Sequence, residues 1–384
     1  MGSRGDTNYL HGGGRMRKYV TLGDVCIKGS SNIAQKDLEN NNGTYAIYGA
    51  SGYIKNVNFY HQDMPYIAVV KDGAGIGRTM LLPEKTSVIG TLQYLIPNDS
   101  VSVKYLYYAV TYMNLSKYFT GATIPHIYFK DYRKELLPLP PMEKQQEIAD
   151  RLEKVDAVIE LCNSIMEKMD VLVKSRFMEL FGDPAGNPKG WTTLSFKQAG
   201  VRLSDGPFGS NLKSEHYTTE GVRVIRLGNI GVGCFIDKDK SFVSTEHYER
   251  LKKYTCKAGE IVIGTLGEPN LRACIIPENV GYAINKADCV HYIPKAEILD
   301  SRFVCQYINC PETLHLAAGM IHGQTRSRIS SGQIAEMPIF IPPIELQNQF
   351  AAFVREIDKS KSTVQKRLNK LQTLQKSLMQ QYFG

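Results

Sequence analysis

The feature that most constrains this chain is a segment that occurs twice. Residues Leu137–Gly182 read LPLPPMEKQQEIADRLEKVDAVIELCNSIMEKMDVLVKSRFMELFG, and residues Ile339–Gly384 read IFIPPIELQNQFAAFVREIDKSKSTVQKRLNKLQTLQKSLMQQYFG. A constant shift of 202 residues aligns the two copies without a gap and places Pro140-Pro141 on Pro342-Pro343. Each copy continues from its prolines as a long amphipathic pattern, which predicts a helix that begins just after them. A repeat of this length indicates a chain built from two similar halves.

The regions ahead of the two helices are predicted to be globular domains of mixed helix and strand. The chain has 384 residues and 43% apolar content, which suits two or three ordinary domains. Short apolar runs between turn residues predict strands from Arg17 to Ile96, before a helix at Val103–Phe119. The second half repeats this order, so Glu260–Ile263 corresponds to Tyr66–Val70. The expected boundaries are a disordered leader or tag at 1–15, a first domain at 16–140, a first helix at 141–182, a second domain at 183–342 with a linker at 183–190, and a second helix at 343–384.

Both copies of the repeat carry the spacing of a coiled-coil seam, with apolar residues alternately four and three positions apart. A helix that packs only on its own domain is usually shorter, about 8–20 residues. Met142–Gly182 has nine acidic and six basic residues, a net charge of −3, whereas Ile344–Gly384 has three acidic and seven basic residues, a net charge of +4. Opposite charges favour pairing of the two helices with each other. The sequence therefore predicts an α+β protein with two similar domains separated by an intramolecular antiparallel coiled coil, one domain at each end, with seam interruptions at Lys361 and Gln375. The predicted seam residues are Ile148, Leu152, Val155, Ile159, Met166, Met169, Phe350, Val354, Ile357, Val364, Leu368 and Leu371.

The sequence contains no recognisable catalytic motif. The glycine-rich run Asp72–Thr79 lacks the lysine of a phosphate-binding loop, and HExxH, GxSxG and CxxC are absent. The eight cysteines are scattered through apolar contexts, which is typical of a reduced protein, and no apolar run reaches the ~18–20 residues of a membrane helix. These patterns predict a non-catalytic cytoplasmic protein without a metal site. A nuclease centre, which short motifs mark weakly, stays open as an alternative.

The charge distribution indicates binding to a polyanion. The chain has a net charge of +8, and the two helices together contribute only +1 of it. The loop Gly323–Ile329 presents two arginines, and its counterpart Gly121–Ile127 presents a histidine. Arginine suits guanine edges and phosphate, although a solvated surface charge is the simpler interpretation of any single residue. The candidate DNA-binding residues are Lys71, Arg78, His126, Lys130, Arg133, Lys213, Tyr217, Arg223, Arg226, Arg272, Arg326 and Arg328.

At its duplicated segments the chain resembles the specificity subunits of type I restriction-modification systems. The resemblance rests on LPPMEKQQEIADRLEKVDAVIE and IPPIELQNQFAAFVREIDK, each preceded by a Gly-x-Thr-x-x-x-Ile loop, GATIPHI or GQTRSRI. It extends to WTTLSFKQAGVRLSDGPFGSNL and EIVIGTLGEPNLRACIIPE, and it covers residues 16–384.

This resemblance implies two target recognition domains, each reading one half of a split sequence in double-stranded DNA. It implies that the helices act as a ruler between the halves and dock two modification subunits, which bind S-adenosylmethionine and methylate adenine at N6. It also allows a restriction subunit with a motor driven by ATP and Mg, and it places the protein in the cytoplasm of a bacterium or archaeon. It assigns no base-contacting residue. A coiled-coil scaffold with protein-binding ends is the remaining alternative.

Overall fold

The computed structural model describes Tyr9–Leu10 and residues 17–121, 125–319 and 328–384. The chain divides into two compact units. Unit 1 comprises Met1–Asn163 with Gln365–Gly384, and unit 2 comprises Ser164–Val364. Within the described ranges no helix is long and apolar enough to cross a membrane.

Most strands are two to six residues long and follow short apolar runs of the sequence. The strands are β1 (Tyr9–Leu10), β2 (Arg17–Thr21), β3 (Cys26–Ser30), β4 (Tyr45–Gly49), β5 (Gly52–Val57), β6 (Tyr66–Val70), β7 (Thr79–Leu82), β8 (Ser87–Val88), β9 (Leu92–Pro97), β10 (Leu136–Pro138), β11 (Thr192–Ser195), β12 (Gly200–Ser204), β13 (Tyr217–Thr218), β14 (Val222–Ile225), β15 (Ser241–Val243), β16 (Thr255–Lys257), β17 (Ile261–Gly264), β18 (Arg272–Ile275), β19 (Tyr282–Asn285), β20 (Cys289–Pro294) and β21 (Pro338–Ile341).

The helices fall into short ones within the globular parts and two of 40 residues each. The helices are α1 (Leu22–Val25), α2 (Val103–Met113), α3 (Phe129–Tyr132), α4 (Met142–Phe181), α5 (Phe196–Ala199), α6 (Thr245–Leu251), α7 (Ser301–Ile308), α8 (Pro311–Ala318), α9 (Ser331–Glu336) and α10 (Ile344–Phe383). Short 3₁₀ turns lie at Gln35–Leu38, Leu115–Tyr118, Gly209–Asn211, Ser214–His216, Leu227–Asn229, Lys252–Tyr254 and Glu278–Val280.

The predicted helix at Val103–Phe119 is shorter in the structure. Helix α2 ends at Met113 because Asn114 adopts a left-handed backbone conformation with a φ of 50°. Asparagine tolerates this conformation better than most residues, and it breaks the helical hydrogen-bond pattern. The chain then continues through the 3₁₀ turn at Leu115–Tyr118.

Besides the small sheet β1-β2-β10, unit 1 is built on two sheets. The first is antiparallel, with strand order β3-β9-β6-β7, and the second has the order β5-β4-β8, in which β4 and β8 are parallel. Every residue of the central strand β6 is buried. Ile67 and Val69 pack into the core that contains α2 and the start of α4, whereas Ala68 and Val70 pack into a second core. The alternation of side chains along β6 therefore joins two cores across one sheet.

Unit 2 repeats this architecture. Its first sheet has the antiparallel order β12-β20-β17-β18, and its second has the order β13-β15-β14-β19-β16, in which β14 and β19 are parallel. Strand β17 is fully buried, like β6. Ile261 and Ile263 belong to the larger core with α7, and Val262 belongs to a separate core on the other face. The two halves of the chain thus share one α+β plan.

The repeated helix start has an atomic explanation in two buried glutamines. The side chain of Gln145 accepts a bond from the backbone N–H of Ser102 (2.8 Å) and donates to the carbonyl of Pro140 (2.9 Å). Gln347 makes equivalent bonds to the loop ahead of α7 and to Pro342. Both amides are almost fully buried, so each costs stability unless it is bonded in this way. Each glutamine therefore ties a long helix to its own globular part.

Within unit 1, α4 and α10 run antiparallel. Arg151 of α4 lies 3.4 Å from the hydroxyl of Tyr382, and Asp156, further along α4, bonds to Gln375, which comes earlier in α10. The predicted seam residues of this unit are buried or half-buried.

Within unit 2 the same two helices are again antiparallel. Asp170 pairs with Lys361, and the ring of Phe177 lies 5.6 Å from that of Phe350. The seam residues predicted here are also buried or half-buried. At the predicted seam interruptions, the polar side chains of Lys361 and Gln375 each bond to an aspartate of α4 in their own unit.

Candidate nucleic-acid interface

Three strands of unit 2 end at one turn. The turn Lys286–Asp288 joins β19 to β20, and its Lys286 N–H donates to the carbonyl of Ile225, the last residue of β14 (2.9 Å). The Asp288 carbonyl accepts from the N–H of Thr265, which follows β17 (3.1 Å). Because β14 and β19 are parallel, the residues after them, Arg226 and Lys286, lie at the same edge. We call this turn with Arg226, Thr265 and Arg328 the unit 2 edge.

Arg328 reaches this edge from a distant part of the chain. The N–H of its neighbour Ile329, which is fully buried, donates to the carbonyl of Thr265 (3.1 Å). The Arg328 guanidinium is 48% exposed and lies 2.8 Å from the carboxylate of Asp288. Arg326, predicted beside it, lies outside the described residues.

Unit 1 carries an edge with the same backbone connections. Its turn Ile89–Thr91 joins β8 to β9, and the N–H of Ile89 donates to the carbonyl of Tyr48 in β4 (3.0 Å). The N–H of Lys71, which follows β6, donates to Thr91 (3.0 Å), and the N–H of Ile127 donates to Lys71 (3.0 Å). These bonds match the unit 2 bonds residue for residue. We call this turn with Lys71, Asp72 and His126 the unit 1 edge.

The side chains at the unit 1 edge form one linked group. Asp72 is 2.5 Å from the ammonium of Lys71 and also pairs with His126. The ring of His126 lies 4.1 Å from that of Tyr128, and the ammonium of Lys130 lies 5.2 Å from the same tyrosine ring. Burial lowers the pKa of Lys71. Predicted residues thus meet here around Tyr128, which the sequence did not single out.

The side chains at the unit 2 edge are different. The ring of Tyr217 lies 5.9 Å from the guanidinium of Arg226 and 5.7 Å from the ammonium of Lys286. Arg226 is also 2.8 Å from Asp239. Lys286 was not predicted, and no local motif marks it. Its position becomes apparent only once β14 and β19 are known to be parallel neighbours.

Two predicted DNA contacts are corrected by the structure. Arg223 is 7% exposed, and its guanidinium lies 2.8 Å from the carboxylate of Asp237. Arg272 is half-buried and uses its guanidinium to hold loops together. It donates to the backbone carbonyls of Leu227, Ile230, Leu266 and Pro269. Both arginines therefore stabilise unit 2, since Arg223 is buried against Asp237 and the carbonyl of Asp239, and Arg272 is bonded to four carbonyls.

The remaining candidates are distributed around the two units. Arg78 donates to the carbonyl of Ala50, just beyond β4, and so lies near the unit 1 edge. Arg133 lies over the ring of Phe129 and beside α1, rather than at the edge. The side chain of Lys213 is 52% exposed and 3.5 Å from Glu215.

The described residues offer no metal site, since no group of three or more His, Cys, Asp and Glu side chains among them could hold an ion. Cys289 lies beside the unit 2 edge, but burial raises the pKa of its thiol to about 12. A thiol that remains protonated is a poor nucleophile. The chemistry available at both edges is therefore hydrogen bonding, charge pairing and aromatic contact.

Comparison with known proteins identifies the family. The family model described as "Type I restriction modification DNA specificity domain" matches residues 17–169. Residues 17–169 therefore belong to this type I specificity family. The chain is similar to the type I restriction enzyme MjaVIII specificity subunit of Methanocaldococcus jannaschii, with 22% identity over 332 residues, which cover 82% of this chain and 77% of that protein. The chain is a specificity subunit, a component for DNA sequence recognition, and not itself an enzyme.

Solved structures from type I restriction-modification systems share this fold. The crystal structure of the type I restriction-modification S subunit from M. genitalium has a TM-score of 0.61 at 16% identity, with coverage of 100% of this chain and 98% of that chain. A chain from a structural study of complex assembly and conformational transition of the type I R-M system has a TM-score of 0.53 at 14% identity, with coverage of 95% and 96%. At these identities the likeness concerns the fold.

Proposed function

We propose that this specificity subunit directs a type I complex to a bipartite DNA sequence, with each unit reading one half-site. The supporting observation is that one edge is built twice with different side chains. His126 in unit 1 stands where unit 2 has Arg328, and Ile89 stands where unit 2 has Lys286. The two edges have the same backbone connections but different side chains. This suits two half-sites of different sequence, because side chains that contact base edges determine which sequence is recognised.

The proposal gives the paired helices two tasks. They set the spacer between half-sites, and they dock two modification subunits that bind S-adenosylmethionine and methylate adenine at N6. Leu161 and Leu172 of α4 are 58% and 48% exposed, which supports docking of a protein partner on this helix. ATP and Mg would belong to a restriction subunit, where the system has one.

The direct test is methylation mapping. The chain is expressed with its modification subunit in a host without other adenine methylation, and the genome is sequenced by a long-read method that detects modified bases. We expect methylated adenines in one two-part motif, with a fixed gap, only when both proteins are present. A motif made by the modification subunit alone, or a continuous motif, contradicts the proposal.

Replacing Arg328 with alanine extends this test to one half-site. Because Arg328 is half-exposed at the unit 2 edge, Arg328→Ala should relax one half of the motif and leave the other half unchanged. Loss of one good base contact costs about 1–3 kcal/mol, so site selectivity in that half should fall about tenfold or more. Lys257→Ala, in β16 beside the far end of β19, serves as the control. Equal loss in both halves, or in neither, shows that Arg328 does not read bases.

A further inference from the structure

The fold brings two cations from later in the chain to the ring of Tyr217. Arg226 and Lys286 both lie within 6 Å of the ring centroid. Arg226 is partly neutralised by Asp239, whereas Lys286 has no carboxylate partner among the residues that the structure describes. An ammonium held over an aromatic face keeps its charge while its side chain is restrained. The unit 2 edge therefore presents one ordered and uncompensated positive charge.

The backbone under Lys286 is firmly held. Besides the bond from Lys286 to Ile225, the N–H of Cys289 donates to the carbonyl of Lys286 (3.1 Å). A neighbouring loop also rests directly on this turn, since a Cβ added at Gly206 would lie 2.3 Å from the carbonyl oxygen of Asn285. Such a distance leaves room only for glycine. Lys286 thus stands on a turn with little freedom to move, which reduces the entropic cost of binding.

The hydroxyl of Tyr217 contributes nothing to this arrangement. It is buried and has no hydrogen-bond partner among the described residues. The aromatic ring is therefore the part of Tyr217 that matters, and phenylalanine would supply it equally well.

The charge is specific to unit 2. The equivalent turn position in unit 1 is Ile89, which is 7% exposed and packs in a core. Isoleucine at this position is thus compatible with the shared backbone, and Lys286 is not required to build the turn.

We propose that Lys286 and Arg226, positioned by Tyr217, bind backbone phosphates of the DNA half-site that unit 2 reads. This inference rests on the proposed function. Lysine is a compact point charge that suits phosphate, whereas base edges are better read by planar groups such as the Arg328 guanidinium. At the unit 2 edge, Lys286 and Arg226 then contact the DNA backbone, and we call this pair the phosphate clamp. Arg328 reads base edges.

Salt-dependent binding distinguishes a phosphate contact from a base contact. The dissociation constant of the full-length chain for a random-sequence DNA duplex is measured over a range of KCl concentrations. Each phosphate contact adds about 0.9 to the slope of log affinity against log salt. We expect Lys286→Ile to reduce this slope by about one and to weaken binding several-fold at low salt. Lys286→Arg and Tyr217→Phe should bind like the wild type, and Tyr217→Leu should bind more weakly.

Two controls complete the design. Lys257→Ala removes a lysine from β16, beside the first residue of β19 and so at the other end of that strand from Lys286, and should leave the slope unchanged. Equal thermal unfolding midpoints show that the variants fold.

If the wild type binds with a salt slope that Lys286→Ile does not change, the clamp is disproved and the proposed function stands. If Lys286→Ile instead alters the methylated motif, Lys286 reads bases, and the clamp is again disproved. If the wild type binds no duplex, the clamp is disproved, and the proposed function is decided by the methylation mapping with the modification subunit.

Discussion

Hydrogen-bond partners decide what a charged side chain near a strand end does in this protein. Arg272 donates to four backbone carbonyls and so holds loops of unit 2 together. Arg328 has a single carboxylate partner and is 48% exposed, which leaves donors free for a ligand. A guanidinium held like that of Arg272 cannot reach DNA without leaving backbone carbonyls unsatisfied. Substitution of Arg272 should therefore lower the stability of unit 2, whereas substitution of Arg328 should weaken DNA recognition.

The buried imidazole of His291 makes unit 2 sensitive to acid. His291 is fully buried, and its Nε2 lies 2.8 Å from a carboxylate oxygen of Glu260. Burial lowers the pKa of His291 below its usual value near 6.5, despite the opposing effect of Glu260. Between the folded pKa and 6.5 the unfolded chain therefore binds the extra proton. The stability that the neutral ring contributes is complete above about pH 6.5 and declines as the pH falls below it.

Denaturant unfolding measured on either side of pH 6.5 tests this. For one proton the free energy of unfolding falls by at most ~1.4 kcal/mol per pH unit below that pH. We expect the wild type to show a steeper decline than His291→Gln, which cannot take up the proton. Parallel pH profiles for the two proteins would show that His291 does not control the transition.

Residues at the two edges were predictable only when a local pattern marked them. His126 and Arg328 lie in recognisable loops, and Arg226 follows an apolar run, so each could be placed beside a strand end. Lys286 could not, because its importance depends on pairing between β14 and β19, which are far apart in the sequence. The burial of Arg223 depends in the same way on Asp237, which reaches it from a loop.

The long helices are the elements that the sequence predicts best. Their periodicity is local, and the predicted limits lie within one residue of Met142–Phe181 and Ile344–Phe383. Individual strands were also close to their predicted positions, as β6 illustrates. The order of strands in each sheet was not predicted, because strand order depends on contacts between distant segments. That order is what brings each candidate site together.

Polar side chains in the seam come in matched pairs. Asp156 and Asp170 are two heptads apart on α4, and their partners Gln375 and Lys361 are two heptads apart on α10. A polar group at a seam position favours the register in which it finds its partner. Lys361 also counters the rise that burial causes in the pKa of Asp358. These pairs therefore fix the register of α4 against α10 in each unit.

Charge reversal tests the seam pair of unit 2. Lys361→Glu places a carboxylate against Asp170 and should lower the free energy of unfolding by about 1 kcal/mol, since the pair is partly exposed. Adding Asp170→Lys should restore most of the loss. Lys366→Glu makes the same charge change at an exposed position of α10 and should have little effect. A double variant no more stable than Lys361→Glu alone would show that the two side chains are not coupled.

At the scale of the whole molecule, the proposal that the helices set the spacer requires α4 and α10 to lengthen together. Unit 1 and unit 2 each include part of α4 and part of α10, with one polar seam pair in each unit. An insertion in α4 alone, for example after Ala157, would separate Asp156 from Asp170 by one more heptad while leaving Gln375 and Lys361 as they are. One of the two pairs would then lose its partner. The ruler can lengthen without this loss only if α10 gains a heptad between Lys361 and Gln375.

Matched insertions therefore provide the sharper experiment. Seven residues of helix add about 10 Å, which corresponds to about three base pairs of DNA. We expect a chain with one heptad added after Ala157 and one between Lys361 and Gln375 to direct methylation to the same two half-sites with a gap longer by about three base pairs. The single insertions should lower stability and weaken methylation, because one seam pair is broken. Methylation mapping that finds the original gap in the matched variant would show that helix length does not set the spacer.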